Sequence, residues 1–197
     1  MTFIEEQLGT PPRGRDWIRF LKSWLRAPLR TGAIAPSGAM LCDAMAFSAA
    51  IKPGETVIEL GPGTGVVTQE LLMRGVWEGN LVLVEADPDL ARLLRQRFPE
   101  ASVIEADAFA IMSRWADSGM TAGAVVSSLP LFVYPRQKRQ ELARAALRIT
   151  GPAGRMVQFT YGPVSPISRQ PGMRAYASRR IWQNLPPAVV WTYQGEP

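Results

Sequence analysis

Apolar and polar positions alternate in blocks along this 197-residue chain, and the blocks change period in a regular order. Pro36 to Ile51 is dominated by Ala, Met and Leu and ends at Lys52-Pro53-Gly54, which predicts a helix with a hard stop. Short apolar runs then alternate with longer segments of helical period. Strands are predicted over Thr56 to Leu60, Asn80 to Glu85, Ser102 to Glu105, Ala122 to Ser127 and Gly154 to Tyr161. Helices are predicted over Thr64 to Arg74, Pro88 to Phe98, Ala108 to Trp115 and Pro135 to Ile149, the second with Pro88 in its first turn. Strands separated by helices imply a doubly wound parallel α/β sheet with right-handed crossovers and helices on both faces. The pattern then changes. Ser178 to Gln183 and Val189 to Gln194, joined by Asn184-Leu185-Pro186-Pro187, predict an antiparallel hairpin, preceded by a Pro-, Gly- and Arg-rich loop of lid length over Gly162 to Ala177.

The first strand runs into Glu59-Leu60-Gly61-Pro62-Gly63-Thr64-Gly65, and the second ends at Glu85. A strand that stops in a glycine-rich turn, opens a helix and meets an acid about twenty residues later suits an adenosine-bearing cofactor. A dinucleotide site would use the spacing G-x-G-x-x-G; here it is G-x-G-x-G, with a carboxylate two residues ahead of the first glycine. Glu59 would repel a phosphate, whereas it suits the ammonium of a methionine moiety. The string ELGPGTG resembles the first motif of class I S-adenosylmethionine-dependent methyltransferases. That resemblance implies a Rossmann-like, seven-stranded, mostly parallel sheet with an antiparallel C-terminal strand. It also implies cofactor contacts from Gly61, Gly63 and Gly65, and from Glu85 to the ribose hydroxyls.

Composition narrows the chemistry. There is no histidine and a single cysteine, Cys42, so a His base, a Ser-His or Cys-His nucleophile and an internal disulfide are excluded, and a zinc site is not expected. The start, Met1 to Glu6, lacks the layout of a signal peptide. The uncharged stretch 118 to 135 and the stretch 31 to 51, charged only at Asp43, are rich in Gly, Ala, Ser and Pro and fall where the fold needs buried structure. A cytoplasmic protein is expected. Its formal net charge is +5, and the segment from Arg13 to Arg30 carries six cations against Asp16, which equals the whole excess.

On a helix from Asp16 to Leu29, Trp17, Ile18, Phe20, Leu21, Trp24 and Leu25 share one arc, opposed by Arg19, Lys22, Ser23 and Arg26. Two tryptophans on the apolar face and a polar face without acids match an interfacial membrane helix, with Arg15, Trp17, Arg19, Phe20, Lys22, Trp24 and Arg26 as its contacts to anionic headgroups. A helix covering the core with its charges in water is the other reading.

Further along, Ile104-Glu105-Ala106-Asp107-Ala108 closes the third strand, and Ser127-Ser128-Leu129-Pro130-Leu131-Phe132 follows the fourth. The latter resembles the N-L-P-Y loop of adenine-N6 methyltransferases and ribosomal RNA dimethyladenosine transferases. Ser128 stands where Asn would hold the adenine amine, and Leu131 where an aromatic would stack on a flipped base. Thr31-Gly32-Ala33-Ile34-Ala35-Pro36-Ser37, ELGPGTG, the VEADP around Glu85, EADA, SSLPL and the Arg-rich C-terminal segment together resemble the soluble, class I bacterial phospholipid N-methyltransferases.

That resemblance implies methylation of phosphatidylethanolamine and its mono- and dimethyl forms to phosphatidylcholine, with S-adenosylmethionine as cofactor and no metal, by a protein held peripherally on the inner face of the cytoplasmic membrane. Residues 1 to 52 would form the amphipathic and lid helices and 53 to 197 the cofactor-binding core. Ile34, Ala35 and Ser37 would line the cofactor pocket with Asp107, Ala108 and Ser127. Ser128 and Tyr161 are the candidate acceptors of the amine proton. Phe132, Tyr134 and Tyr176 would face the methylammonium, and Arg169 and Arg180 would hold the lipid phosphate; no nucleic-acid partner is expected. The rival readings are an RNA adenine dimethyltransferase, a non-catalytic cofactor-binding protein of the membrane surface, and a methyltransferase of small soluble amines or alcohols.

Overall fold

The computed structural model describes residues 36–184 and 186–196. Helix α1 (Pro36–Ala49) leads into β1 (Val57–Leu60), α2 (Val66–Met73), β2 (Leu81–Glu85), α3 (Pro88–Arg97), β3 (Ser102–Glu105), α4 (Ala108–Ser118), β4 (Ala124–Ser127), α5 (Arg136–Thr150), β5 (Arg155–Thr160), β6 (Met173–Ala177) and β7 (Val189–Gly195). The strands form one seven-stranded sheet in the order β3-β2-β1-β4-β5-β7-β6. The first five strands are parallel, whereas β7 runs antiparallel between β5 and β6. The expected fold class is therefore the one observed.

Burial explains the alternation. β1 and β4 are buried along their whole length, as central parallel strands must be when both faces carry helices. Val57, Leu83, Val126 and Val157 face Leu41, Met45, Leu71 and Leu94 on one side of the sheet. Ile58, Val84, Val125 and Met156 face Met112, Leu142 and Ala146 on the other. Helix α1 thus supplies core residues. Helix α4 runs one turn beyond the predicted Trp115 and stops at Gly119, whose φ of 79° is the left-handed C-terminal conformation.

Two expectations are corrected. The first arm of the predicted hairpin, Ser178 to Gln183, is not the strand; β6 lies five residues earlier, and 178–188 is a connection holding one bridge, Ile181 to Ala188. Size matching across the pair gives the reason: Ala175 lies opposite Tyr193 and Ala177 opposite Trp191, so small side chains leave room for large ones. The predicted lid over Gly162 to Ala177 is not a free loop either. Ile167 is buried, Ser165 Oγ shares a hydrogen bond with the Tyr193 hydroxyl at 2.7 Å, Arg139 donates to the Pro166 carbonyl, and Arg144 donates to Gln170 Oε1 at 3.2 Å. These contacts strap 165–170 onto α5 and β7.

The turn into α2 is fixed by packing as well as by backbone conformation. Gly65 has a φ of 83°, and a Cβ there would overlap the Phe98 ring, with Cζ at 2.9 Å, and press Leu94 Cδ2 at 3.1 Å. Gly75 has a similar φ of 88° but nothing within 4 Å. Gly65→Ala should therefore lower the unfolding free energy by about 2–4 kcal/mol, combining backbone strain with overpacking, and Gly75→Ala by about 1 kcal/mol from strain alone, both read by urea denaturation.

Candidate functional site

The loops that carry the predicted chemistry meet at the carboxyl edge of the parallel strands, where open α/β sheets place their ligands. At the tip of β2, Glu85 is buried; its Oε2 accepts from the Gly63 amide and its Oε1 from the Asp87 amide, both at 3.0 Å. This carboxylate shapes the glycine-rich loop and keeps lone pairs for further donors. Gly61 lies so close to the β4 loop that a Cβ would meet Leu129 Cδ2 at 2.9 Å, so the two loops form one floor. Asp107 caps α4, its Oδ1 accepting from the Ala110 amide at 2.9 Å, and its side chain stays exposed.

Glu59 is the strongest electrostatic feature. It is fully buried on β1, its Oε2 accepts from Thr68 Oγ1 of α2 at 2.7 Å, and its Oε1 has no partner among the described residues. Burial pushes its carboxyl up from 4.5 to about 8; the Thr68 hydrogen bond opposes the shift and the charge of Glu85 adds to it. Burial and the neighbouring Glu59 likewise push the Cys42 thiol up to about 12, so it stays protonated and unreactive. A buried carboxyl with an unmet oxygen calls for a cationic donor.

On β4, Ser127 is buried and its Oγ accepts from the Leu129 amide at 3.4 Å, while the Ser128 amide donates to the Leu60 carbonyl at 2.9 Å. Leu131 is 2% exposed and belongs to the core, whereas Phe132 is half exposed with the Arg139 guanidinium 5.4 Å from its ring centroid. Tyr134 packs against Phe109 with centroids 4.5 Å apart, and burial raises its phenol. Tyr161 lies on the α1 face of the sheet beside Phe159, and burial raises its phenol well above the ordinary range against an opposing influence of the Asn184 side chain. It is neutral at physiological pH.

The remaining expected residues are dispersed. Tyr176 sits on edge strand β6 and lines a cleft of about 720 Å³ at the opposite, amino edge, together with Lys52, Trp77 and Arg155. That cleft contains none of the expected cofactor residues. Arg169 is exposed on the strapped loop, and Arg180 stacks over Trp182 at 5.0 Å in the β6–β7 connection. Ser37 lies in the first turn of α1, and its side chain is outside the described residues, as are Ile34, Ala35 and the segment with Arg15, Trp17, Arg19, Phe20, Lys22, Trp24 and Arg26.

One residue escaped sequence reasoning. Gln158 of β5 is 1% exposed and lies beside Ser127 in the sheet; its Nε2 donates to the carbonyls of Leu129 at 3.0 Å and Phe159 at 2.8 Å. It holds the β4 loop in place. Its only sequence signal is a polar residue inside an apolar strand run.

Residues 40–114 match the model of the ribosomal RNA adenine dimethylase family. An ornithine lipid N-methyltransferase of Singulisphaera acidiphila is 29% identical over 153 residues, which is 76% of this chain and 80% of the relative. The chain is also 33% identical over 137 residues to the ribosomal RNA small subunit methyltransferase A of Synechococcus elongatus, covering 68% of this chain, but it spans only 40% of that relative's length. Among solved structures, the fold matches a TehB-like methyltransferase from Corynebacterium glutamicum with a TM-score of 0.61 at 18% identity, covering 91% of this chain and 97% of the other. By fold and by relatives, the chain is an S-adenosylmethionine-dependent methyltransferase.

The residues of this methyltransferase fit that cofactor. The unmet oxygen of Glu59 suits an ammonium group, the bare glycine turn leaves room for close approach, and Glu85 and Asp107 keep acceptor capacity for hydroxyl and amine donors. Between pH 4.5 and about 8 folded Glu59 holds a proton that the unfolded chain has lost, so its stabilising contribution is complete below 4.5 and disappears as pH rises through 8. Glu59→Gln should therefore melt progressively higher than the wild type, cofactor-free, as scans move from pH 5 to pH 8, and cofactor affinity of the wild type should tighten by up to about tenfold per pH unit over pH 6 to 8 in calorimetric titrations. Gln158→Leu should cost about 1–3 kcal/mol in chemical denaturation, because it removes the buried amide that donates to both the Leu129 and the Phe159 carbonyls.

Proposed function

We propose that the methyltransferase acts on the amine of a membrane lipid, methylating phosphatidylethanolamine and its mono- and dimethyl forms to phosphatidylcholine at the inner face of the cytoplasmic membrane. The observation that carries this reading is the burial of Leu131: where a flipped adenine would need an aromatic surface, this chain has an aliphatic side chain sunk in the core. Similarity along most of its length to a lipid N-methyltransferase supports the same reading. Residues 1 to 52 would supply the membrane helix and the cover over the cofactor, and 53 to 197 the catalytic core.

When bound, the cofactor supplies a methyl group on a sulfonium centre. Glu59 would hold its ammonium, Glu85 its ribose, Asp107 and the Ala108 amide its adenine, with Ile34, Ala35, Ser37 and Ser127 lining the pocket. The acceptor amine must be neutral to attack; with a Lys-like pKa of about 10.4, losing its proton at pH 7 costs roughly 4.6 kcal/mol, which desolvation at a membrane edge reduces. Tyr161 is a neutral phenol and no base, so it can only orient a water or the amine. Ser128, at the carboxyl end of β4, would accept a hydrogen bond from the amine and pass its proton to water. Phe132 and Tyr134 would face the methylated cation, and Arg169 and Arg180 the lipid phosphate.

The second reading is an RNA adenine dimethyltransferase, favoured by the family match over 40–114. That stretch runs from α1 into α4 and so comprises the cofactor half, which both readings share. A cofactor-binding protein without turnover is the third.

The test is transfer of labelled methyl from S-adenosylmethionine into the organic extract of vesicles containing phosphatidylethanolamine and an anionic lipid. Label in mono-, di- or trimethylated lipid is the expected result, and Ser128→Ala should lower kcat by about 10²-fold or more while leaving cofactor affinity unchanged. Cofactor binding with no labelled lipid, and label in ribosomal RNA instead, would reverse the assignment.

A further inference from the structure

The near-neutral body of the chain conceals a partition that appears only when the sheet order is known. Residues 31 to 117 contain twelve acids and six bases, whereas between Ser118 and Gly195 Glu141 is the only acid against ten Lys and Arg residues. The first stretch builds β3-β2-β1 and the second β4-β5-β7-β6, so the two charges occupy opposite halves of one sheet. The acidic half carries the cofactor residues Glu59, Glu85 and Asp107.

On the basic half, the connections at the same carboxyl edge as the site each expose an apolar side chain. Phe132 follows β4 and is 50% exposed, Val164 follows β5 at 66%, and Trp182 precedes β7 at 67%. Their three loops are tied together. The Arg139 guanidinium covers Phe132 and donates to the Pro166 carbonyl, and the Asn184 side chain is close enough to the Tyr161 phenol to lower its pKa. Arg180 covers Trp182. The start of α5 and the loops on either side of β6 carry the exposed cations Arg136, Lys138, Arg169 and Arg179. Glu141 is engaged by Gln137 at 2.9 Å, and Asp107, whose charge helps to raise the Tyr134 phenol, belongs to the cofactor half.

Helix α5 breaks a rule that its neighbour α3 obeys. Helix α3 begins with an Asp87 cap and Asp89 in its first turn and ends on Arg95 and Arg97, as the helix dipole favours. Helix α5 begins with Arg136, Lys138 and Arg139, has no acid in its first turn, and has Pro135 at its cap with no side-chain cap bond. Cations at a helix N-terminus are unfavourable in the free protein. Local conflicts of this kind mark places where function sets the sequence.

We propose that this edge is itself a membrane-docking rim: Phe132, Val164 and Trp182 enter the interfacial layer of an anionic bilayer while Arg136, Lys138, Arg169 and Arg179 neutralise headgroup phosphates, seating the mouth of the site on the lipid. The inference deepens the lipid reading and rests on it for the nature of the surface. It is separate from the amphipathic segment 16–29. Tryptophan and arginine are the side chains that interfaces favour, one through its amphipathic ring and the other through its fork of donors.

The experiment uses the full chain and measures partition onto sedimented vesicles of phosphatidylcholine with and without phosphatidylglycerol. Arg136→Gln with Lys138→Gln should weaken binding to the anionic vesicles by about thirtyfold, at about 1 kcal/mol per cation. Trp182→Ser should weaken binding to both vesicle types. Cofactor affinity should remain that of the wild type, and the melting temperature of the Arg136/Lys138 variant should not fall, because its removed cations opposed the helix dipole. Methyl transfer to vesicle-borne phosphatidylethanolamine should fall with partition, and transfer to the same lipid dispersed in detergent should not. Unchanged partition in all variants would overturn the rim, as would RNA binding that these variants lose while vesicle binding persists. No transfer to lipid in either form, with partition still sensitive to the variants, would overturn the lipid-methylation reading and leave the rim standing.

Discussion

The carboxylate of Glu85 joins the two parts on which the site depends. By accepting from the amides of Gly63 and Asp87 at once, it fixes the glycine-rich loop to the tip of β2 and sets the start of α3. A charge-assisted bond of this kind in a buried setting is stronger than a neutral one. The close approach of Gly65 to Phe98 and of Gly61 to Leu129 extends the arrangement to α3 on one side and to the β4 loop on the other. Moving the β2 tip would therefore shift the floor of the cleft and its rim together.

Glu59 places a cost beside that frame. A carboxyl that titrates near neutrality, with one oxygen unmet, leaves the cofactor-free protein less stable than an apolar residue would at high pH. The acid is coherent only with a cationic partner, and ligand binding then recovers stability by linkage. A similar tension at the start of α5 finds its explanation at a surface instead of in a pocket. The two strained features lie in opposite halves of the sheet, one facing a cation and the other facing anions.

Sequence reasoning reached the features whose chemistry is local. The turn ELGPGTG, the Asp87-Pro88 helix start and the strand Ser102 to Glu105 are specified by neighbours in the chain, and the structure has them as expected. It failed where distant partners decide. Strand β6 is selected by the alanines that face Tyr193 and Trp191, whereas Ile181 and Trp182 have the higher strand propensity. The strap over 165–170 depends on arginines of α5, and Gln158 gains its role only from the loop that crosses beside it. The charge partition escaped a count by segment because it follows from sheet order. Expectations for the chain before Pro36 lie outside the described residues.

The interior position of β7 has a consequence for how the protein is made. Strand β6 touches the sheet only through β7, which follows it in the chain, so β6 has no edge to join until β7 has been synthesised and has paired with β5. During translation the nascent sheet must end at β5, with an open strand edge and the segment 173–180 without a strand to pair with. Such an edge invites wrong pairing. Arg155 begins that edge strand and Arg174, Arg179 and Arg180 follow it, so two unfinished chains would bring like charges together there.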